Sequence, residues 1–370
     1  MASIAFTGDI AFSQYFKNGY EKPDLMDKEI FTFLQSADHV VANVEAPVTA
    51  GGVQSKRKLN HVNPPEAVPL LLELNARIWN LANNHTVDCK EAGLQDTLDI
   101  AAQNGVRTFG AGQCRADAAR IIELPDSGGI GIFGITYYRN FLKAGEDSLG
   151  CITWEDIDTI RANIAEIKKR NRWCVIVAHC GQEFSNIPMP YVRRRYLQWL
   201  ELGADVIIGH HPHVVQNYEQ VGDKMIFYSL GNFVFDTNYQ RRQKYSEYGV
   251  LVKLNFTENG FTWEHLGTRV DRENNRIAVS DPPAIFTNID SKQYRRLWTL
   301  GVRNYYRNHI SCRIFFKPER EKNTALQWFK EDIEFFELRP ALELYAGRAL
   351  AHLGLWKRGD SKLVDYLLEK

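Results

Sequence analysis

Five short polar segments each follow an apolar run of strand character, and this repeated arrangement constrains the fold more than any other feature of the chain. The clearest is Gly209-His210-His211-Pro212-His213, which follows the β-branched run Asp205–Ile208. Short apolar runs rich in β-branched residues are typical of buried strands. Because an open α/β sheet presents ligand-binding residues at the carboxyl ends of its strands, we expect the five segments to meet at one edge of one sheet.

The other four segments have the same form. They are Gly8-Asp9, Asn43-Val44-Glu45-Ala46-Pro47, Asn83-Asn84-His85 with Asp88, and His179-Cys180-Gly181-Gln182-Glu183. Each alone has an ordinary structural explanation, since Gly-Asp is common in turns and Asn often caps a helix. Together they bring carboxylate, amide and imidazole groups to one place, which favours a functional site over a polar loop with incidental histidines.

Alternation of strands and helices in the first two thirds predicts a layered α/β fold. Predicted strands are Ile4–Thr7, His39–Asn43, Arg77–Leu81, Gly131–Ile135, Trp173–Ala178 and Asp205–Ile208, and predicted helices lie at 26–36, 66–74, 91–104, 156–171 and 190–202. A second, largely antiparallel sheet is predicted from the strands Val214–Glu219, Met225–Ser229, Tyr248–Phe256 and Phe261–Val270. Asn259-Gly260 predicts a hairpin between the last two.

Three helices rich in aromatic and basic residues are predicted at 291–309, 322–338 and 340–353. We therefore divide the chain into a main domain at 1–285 and a helical C-terminal extension at 286–370 that packs on it. A lid or a partner-binding surface is the alternative role of these helices. The run Arg193-Arg194-Arg195 opens an earlier helix and is expected to face solvent.

Composition excludes some classes of function. Lys+Arg and Asp+Glu both number 45, so bulk charge gives no argument for a nucleic-acid partner or an anionic membrane. The six cysteines include no Cys-x-x-Cys pair, which argues against a zinc knuckle. We find neither a signal peptide nor a transmembrane run and expect a cytoplasmic protein, or one associated with the cell surface if an anchor was removed.

The types of side chain in the five segments indicate a metal site. Imidazole, carboxylate and amide ligands without thiolate suit Mn²⁺, Fe²⁺ or Zn²⁺. More than four candidate ligands exceeds one tetrahedral ion and indicates two ions, which could activate a water between them. Asp9 and Glu45 are the candidates for a bridging carboxylate. A histidine beside the metals could protonate a leaving group.

These segments, followed by Tyr228-Ser229-Leu230-Gly231-Asn232-Phe233-Val234-Phe235-Asp236, resemble the poly-γ-glutamate capsule biosynthesis (CapA-type) family, a branch of the calcineurin-like metallophosphoesterase superfamily. The resemblance covers about residues 2–256. It implies a calcineurin-like metallophosphatase fold, a four-layer α/β/β/α sandwich with a two-metal site between the sheets, here followed by the C-terminal helical extension.

The resemblance also implies roles for single residues. The implied metal ligands are Asp9, Glu45, Asn84, His179, His211 and His213. The implied catalytic residues are His85 as a non-ligating acid and His210 as an extra imidazole. From its position three residues later, Asp88 is expected to orient His85 as a further catalytic residue, or to cap the helix that follows. In one departure, Ile10 and Ala11 follow Asp9 where the superfamily has Asp-x-His, so one ion, or none, stays an alternative to two.

Four further residues are candidates for substrate binding. Arg57 and Lys58 belong to a basic loop that could clamp an anionic substrate or simply face solvent, and Arg139 follows another predicted strand. Glu183 could face the substrate, orient His179 or cap its loop.

The resulting hypothesis is a metal-dependent hydrolase in which activated water attacks a phosphoester or a γ-glutamyl or peptide amide. The partners expected are an anionic peptide polymer or a small substrate, and a membrane-associated synthase. Two alternatives stay open: a metal-free acid–base enzyme resembling a peptide epimerase, and a non-catalytic partner that binds the polymer or the synthase. A Gly-x-x-x-x-Gly-Lys-[Ser/Thr] loop is absent from the sequence, which disfavours ligase activity.

Overall fold

The computed structural model describes residues 2–51, 60–137 and 142–295. In chain order the strands and helices are β1 (Ala2–Ile10), α1 (Lys28–Gln35), β2 (His39–Val44), α2 (Val68–Glu73), β3 (Ile78–Asn80), α3 (Lys90–Gln103), β4 (Arg107–Phe109), β5 (Ala111–Gly112), α4 (Arg115–Ala118), β6 (Ile122–Leu124), β7 (Ile130–Thr136), β8 (Gly150–Cys151), α5 (Ile157–Arg170), β9 (Trp173–His179), α6 (Pro190–Leu202), β10 (Val206–His210), β11 (Tyr218–Val221), β12 (Lys224–Phe227), β13 (Asn232–Val234), β14 (Tyr248–Phe256), β15 (Phe261–Asp271) and β16 (Arg276–Val279). Among these described elements no helix is long and apolar enough to cross a bilayer.

Two sheets form the centre of the molecule. The first has the strand order β16-β15-β14-β1-β2-β3-β4, with β13 also pairing with β1. Strands β1 to β4 of this sheet run parallel. The second has the order β11-β12-β10-β9-β7-β6, and its four central strands are parallel. The polar segments therefore lie on parallel strands, whereas β14 to β16 at one end of the first sheet and both edge strands of the second sheet, β6 and β11, pair antiparallel.

The two sheets pack face to face, and helices cover their outer faces. Apolar residues such as Phe6, Val177 and Ile208 form the layer between the sheets. Ile30 and Leu94 pack from α1 and α3 onto the outside of the first sheet, and α5 and α6 cover the second in the same way. Strands buried on both faces explain why their sequences are continuous apolar runs rather than alternating ones. The predicted four-layer α/β/β/α arrangement is confirmed.

The predicted separate antiparallel sheet after residue 213 is wrong. Strands β11 and β12 extend the second sheet, while β14, β15 and β16 extend the first through β1. An edge strand presents unpaired backbone donors and acceptors, so pairing with an existing edge satisfies them without a new sheet. The predicted hairpin between β14 and β15 is confirmed, with residues 257–260 as its connection.

The first residues of the predicted C-terminal extension lie against the main domain. Phe286 joins the layer between the sheets, and Ile289 and Tyr294 join the layer under α6. The Tyr294 hydroxyl donates a hydrogen bond to the Pro188 carbonyl at 2.9 Å. The rest of the predicted helices at 291–309, 322–338 and 340–353 lies outside the described residues beyond residue 295, so the boundary at 285 stays a prediction.

Arg193 does not face solvent as the sequence suggested. Its guanidinium forms a two-pronged ion pair with Glu219, with nitrogen–oxygen distances of 2.9 and 2.6 Å. The same carboxylate accepts a hydrogen bond from the Tyr228 hydroxyl at 2.7 Å. The ring of Tyr294 lies 4.8 Å from the guanidinium carbon. Arg193 therefore links α6 to β11 and to the start of the C-terminal segment.

We expect Arg193→Ala to lower the free energy of unfolding by about 3 kcal/mol, because it leaves the buried Glu219 carboxylate without its cation. The exposed Arg161, which pairs with Asp158 on α5 at 3.6 Å, is the matched control. Arg161→Ala should change stability by less than about 0.5 kcal/mol. Urea titrations of both variants give the measurement, and equal losses would contradict the structural role of Arg193.

Candidate metal centre

The five polar segments converge, but from two sheets rather than one. Asp9 lies near the end of β1 and Glu45 directly follows β2, both in the first sheet. His179 and His210 end β9 and β10 in the second sheet. All four side chains are buried, with 1% or less of their surface exposed. The prediction of a single sheet edge is therefore wrong, and the cluster lies where the carboxyl ends of two facing sheets meet.

Three overlapping sets of side chains place their donor atoms within 4.8 Å of one another. The sets are Glu45, His179 and His211; Asp9, Glu45 and His213; and Glu183, His211 and His213. Glu45 belongs to two of them, as a carboxylate shared between two cations would. His213 approaches Asp9, with its Nδ1 at 3.1 Å from Asp9 Oδ2, and so brings an imidazole to the position where the first strand lacks one.

Glu45 carries the strongest indication that a cation belongs here. Within the described part of the chain, neither of its carboxylate oxygens has a hydrogen-bond partner. The nearest imidazole nitrogens are His179 Nε2 at 3.2 Å and His213 Nε2 at 3.6 Å from Glu45 Oε1. Burying carboxylate oxygens without hydrogen bonds is costly, and a divalent cation would offset that cost. The donor set therefore fits the metal that the sequence implies.

The two central carboxylates differ in electrostatic environment. Burial raises the pKa of Glu45 well above its usual range, against the attraction of His213. Burial also acts to raise the pKa of Asp9, but hydrogen bonds and attraction from His210 and His213 outweigh it and hold that pKa well below its usual range. Asp9 is therefore the anion that stays charged, and Glu45 is the carboxylate that needs a further positive charge.

The two imidazoles nearest Glu45, those of His213 and His179, also have pKa values shifted in opposite directions. Burial acts to lower the pKa of His213, but the attraction of Glu45 and Asp9 outweighs it and raises that pKa to about 10. Burial lowers the pKa of His179 well below its usual range, so its ring is neutral. A neutral imidazole is the form that ligates a metal.

The histidine loop is held in a strained conformation. His211 and His213, on either side of Pro212, have φ angles of 94° and 56°. Residues other than glycine rarely adopt these backbone angles, and such strain is concentrated at functional sites. The Tyr137 ring stacks on His211 at 4.8 Å, and the Phe235 ring meets His213 edge-on at 5.1 Å. These contacts hold both imidazoles toward the cluster.

His85 and Asp88 form a pair beside the donor cluster. Asp88 Oδ2 lies 2.6 Å from His85 Nδ1, which is the contact that an orienting partner would make. The same oxygen accepts a hydrogen bond from the His61 backbone N–H at 2.8 Å, and the His61 ring lies edge-on to His85 at 4.4 Å. His61 was missed by the sequence analysis because it follows no predicted strand and belongs to no recognised segment.

The remaining predicted residues fall into three groups. His210 Nδ1 lies 3.1 Å from Asp9 Oδ1, and Asn84 Oδ1 lies 2.8 Å from His179 Nε2. Glu183 joins the cluster through His211 and His213. Arg57, Lys58 and Arg139 lie outside the described residues. The structure thus brings ten of the thirteen predicted residues together at one place, and the role of each stays a prediction.

Two asparagines complete the cluster, and the sequence analysis did not single them out. Asn43 Nδ2 donates to Asp9 Oδ1 at 2.7 Å, and Asn80 Nδ2 donates to Asn43 Oδ1 at 2.8 Å. Both lie inside buried strands, β2 and β3, where a polar side chain needs a partner. The sequence therefore held a signal for both residues, because Asn43 and Asn80 are polar residues that interrupt otherwise apolar strands.

Comparison with known proteins identifies relatives. The family model described as bacterial capsule synthesis protein PGA_cap matches residues 3–237. The PGA biosynthesis protein CapA of Bacillus subtilis (strain 168) is 31% identical over 70% of this chain and 68% of its own length. The capsule biosynthesis protein CapA of Bacillus anthracis is 28% identical over 70% of this chain and 64% of its own length. A solved structure of a hypothetical protein from Thermus thermophilus matches with a TM-score of 0.45 and 12% identity, over 72% of this chain and 99% of that one.

We expect Glu45→Gln to raise the free energy of unfolding of the metal-free protein by about 1 kcal/mol, because it removes a buried carboxylate whose charged form burial disfavours and which has no hydrogen bond from the described residues. With a divalent cation present, the variant should instead be less stable than the wild type, since it loses the shared ligand. Thermal unfolding in chelator and in Mn²⁺ gives the comparison.

Glu219→Gln is the matched control for this prediction, because its buried carboxylate is paired with Arg193. It should lower stability by about 2 kcal/mol in both solutions. A loss of stability in Glu45→Gln under chelation would show that the Glu45 charge is already satisfied by the protein.

Proposed function

The chain belongs to the bacterial capsule synthesis protein (PGA_cap) family, and on that premise we propose that it is a metal-dependent hydrolase of capsule or poly-γ-glutamate biosynthesis. Its substrate would be a phosphoester or a γ-glutamyl or peptide amide, attacked by water. The observation that carries the proposal is the buried Glu45 carboxylate, shared by two donor sets and without hydrogen bonds from the described residues.

The ligand assignment follows the three donor sets. Asp9, Glu45 and His213 would hold one divalent cation, and Glu45, His179 and His211 a second. Asn84 lies against His179 and would complete the second set. Such cations would supply Lewis acidity and lower the pKa of a water molecule. Mn²⁺, Fe²⁺ and Zn²⁺ fit these ligands.

His85 would move the proton that the reaction requires. Asp88 accepts the hydrogen bond from His85 Nδ1 and so fixes the ring orientation. The proton for a leaving oxygen or nitrogen would then be held at Nε2, on the side of the ring away from Asp88. The packing of the His61 ring against His85 restricts rotation further. A positioned acid of this kind contributes roughly a hundredfold or more to a rate.

The proposal extends to partners. The names of the Bacillus relatives refer to PGA or capsule biosynthesis, which supports an anionic peptide polymer, or a small phosphoester or γ-glutamyl compound, as the substrate. The predicted basic residues Arg57, Lys58 and Arg139 would contact it, and Glu183 would border the same site. A membrane-associated synthase is the protein partner that we propose.

Metal content tests the ligand assignment. Dialysed against Mn²⁺ or Zn²⁺, the protein should retain up to about two equivalents, and a His211→Ala/His213→Ala variant should retain far less, because each donor set loses an imidazole. Plasma mass spectrometry measures both. His265→Ala, which removes an exposed imidazole on β15, is the control and should keep the metal. The absence of stoichiometric metal in every sample would favour the metal-free acid–base alternative.

His85→Ala tests catalysis separately from metal binding. We expect hydrolysis of chromogenic phosphodiesters or γ-glutamyl anilides to fall by about a hundredfold or more, with metal content unchanged. The control His265→Ala should keep full activity. Metal binding without turnover of any substrate by the wild type would instead support the non-catalytic role as a polymer- or synthase-binding protein.

A further inference from the structure

A cleft of about 200 Å³ lies at the end of the first sheet opposite the metal cluster. It is formed at the amino ends of β2, β3 and β4, which run parallel, and Asp38, His39, Arg77 and Arg107 border it. His39 begins β2 and Glu45 follows the end of that strand, so the rise of the strand separates the cleft from the metal cluster by roughly 20 Å. The cleft is therefore distinct from the site described above.

Two guanidinium groups border this cleft without carboxylate partners. Arg77 precedes β3 and Arg107 begins β4, and the Arg107 backbone N–H donates to the Arg77 carbonyl at 3.0 Å, so the two residues are neighbours. Arg107 Nη1 donates to the Glu123 backbone carbonyl at 3.3 Å, which is a neutral acceptor. Among the described residues neither arginine forms an ion pair. Partial desolvation lowers the pKa of Arg107, and no carboxylate offsets that effect.

His39 adds an imidazole to the same cleft. Its side chain is 27% exposed, and its Nε2 lies 3.9 Å from Asp126 Oδ2, which is too long for a hydrogen bond. Burial and the charge of Arg107 lower the pKa of His39, against the attraction of Asp38 and Asp126. The ring is therefore neutral at pH 7 and offers one N–H donor.

Asp38 is the acidic residue that borders the cleft, and it is held toward β1. Its Oδ2 accepts hydrogen bonds from the Ser3 backbone N–H at 2.8 Å and from the Ser3 hydroxyl at 2.7 Å. These bonds compensate the carboxylate, whereas the two guanidinium charges have no such compensation. With two positive charges and one satisfied negative charge, the cleft favours an anion.

We propose that this cleft binds a phosphate group, which Arg77, Arg107 and His39 hold. Guanidinium groups match the geometry of phosphate oxygens, and such charge-assisted hydrogen bonds are about twice as strong as neutral ones. Three donor side chains suit the three terminal oxygens of a phosphate group better than the two of a carboxylate. The volume of about 200 Å³ is below the roughly 300 Å³ of the smallest pockets for drug-sized ligands, so it fits a small anion or a single head group.

Calorimetric titration of the metal-free full chain with inorganic phosphate, at constant ionic strength, tests the site. The wild type should bind one equivalent, and Arg77→Gln and Arg107→Gln should each weaken binding by about tenfold or more, because each removes a charge-assisted hydrogen bond. Both arginines are exposed, so both variants should fold. Arg161→Gln on α5 is the matched control and should bind as the wild type does. Absence of saturable binding at millimolar phosphate, or equal binding by all three variants, would overturn the inference.

Two further measurements locate the bound anion. The His211→Ala/His213→Ala variant should keep phosphate binding, and its loss there would place the anion at the metal cluster and overturn the inference. In imidazole ¹H–¹³C spectra recorded against pH, saturating phosphate should raise the pKa of His39, because an adjacent anion favours the charged ring. A pKa of His39 that does not move at saturation would equally contradict binding in the cleft.

Competing ligands distinguish the sources of the phosphate group. Tighter binding of glycerol 3-phosphate than of inorganic phosphate would identify a phosphate ester as the ligand, and the reverse order would identify the free ion. Glutarate should bind at least about tenfold more weakly than either, since a carboxylate leaves one donor side chain unused. Glutarate binding as tight as that of phosphate would overturn the assignment. The cleft is independent of the metal cluster, so each of these failures would leave the proposed function standing.

Discussion

Face-to-face packing of two largely parallel sheets is the constraint on which the candidate site depends. Apolar side chains from both sheets fill the layer between them, and this packing holds the carboxyl ends of β1, β2 and β3 opposite those of β9 and β10. The site is assembled from side chains that are far apart in the sequence and belong to two different sheets. Residues at the ends of buried strands have little freedom, which explains the close spacing of the donor atoms.

Burial determines the chemistry of this cluster. Asp9 is compensated by Asn43, His210 and His213, whereas Glu45 has no hydrogen bond from the described residues. A protein that only needed stability would replace such a carboxylate with an apolar or amide side chain. Its presence at the junction of two donor sets is accounted for by a cation, which links the electrostatics to the function proposed for this member of the capsule synthesis family.

A site residue could be predicted from the sequence when it follows an apolar run that predicts a strand, and not otherwise. Residues at predicted strand ends, such as Asp9, His179 and His213, could be identified because each follows an apolar run. His61 could not, because it lies in a loop and reaches His85 only through the folded chain. Asn43 belongs to one of the five segments, but its hydrogen bond to Asp9 could not be predicted, since hydrogen bonds between strands depend on register.

By itself, the sequence determined the element types, the order of the polar segments, the donor chemistry and the family resemblance, because these follow from local periodicity and residue type. Only the tertiary structure decided that the segments come from two sheets, that the strands after residue 213 divide between those sheets, and that Arg193 is paired with Glu219. It also decided the hydrogen bonds that run from Asn80 to Asn43 and from Asn43 to Asp9. These features depend on pairing between distant strands and on burial, and both are properties of the assembled chain rather than of any local segment.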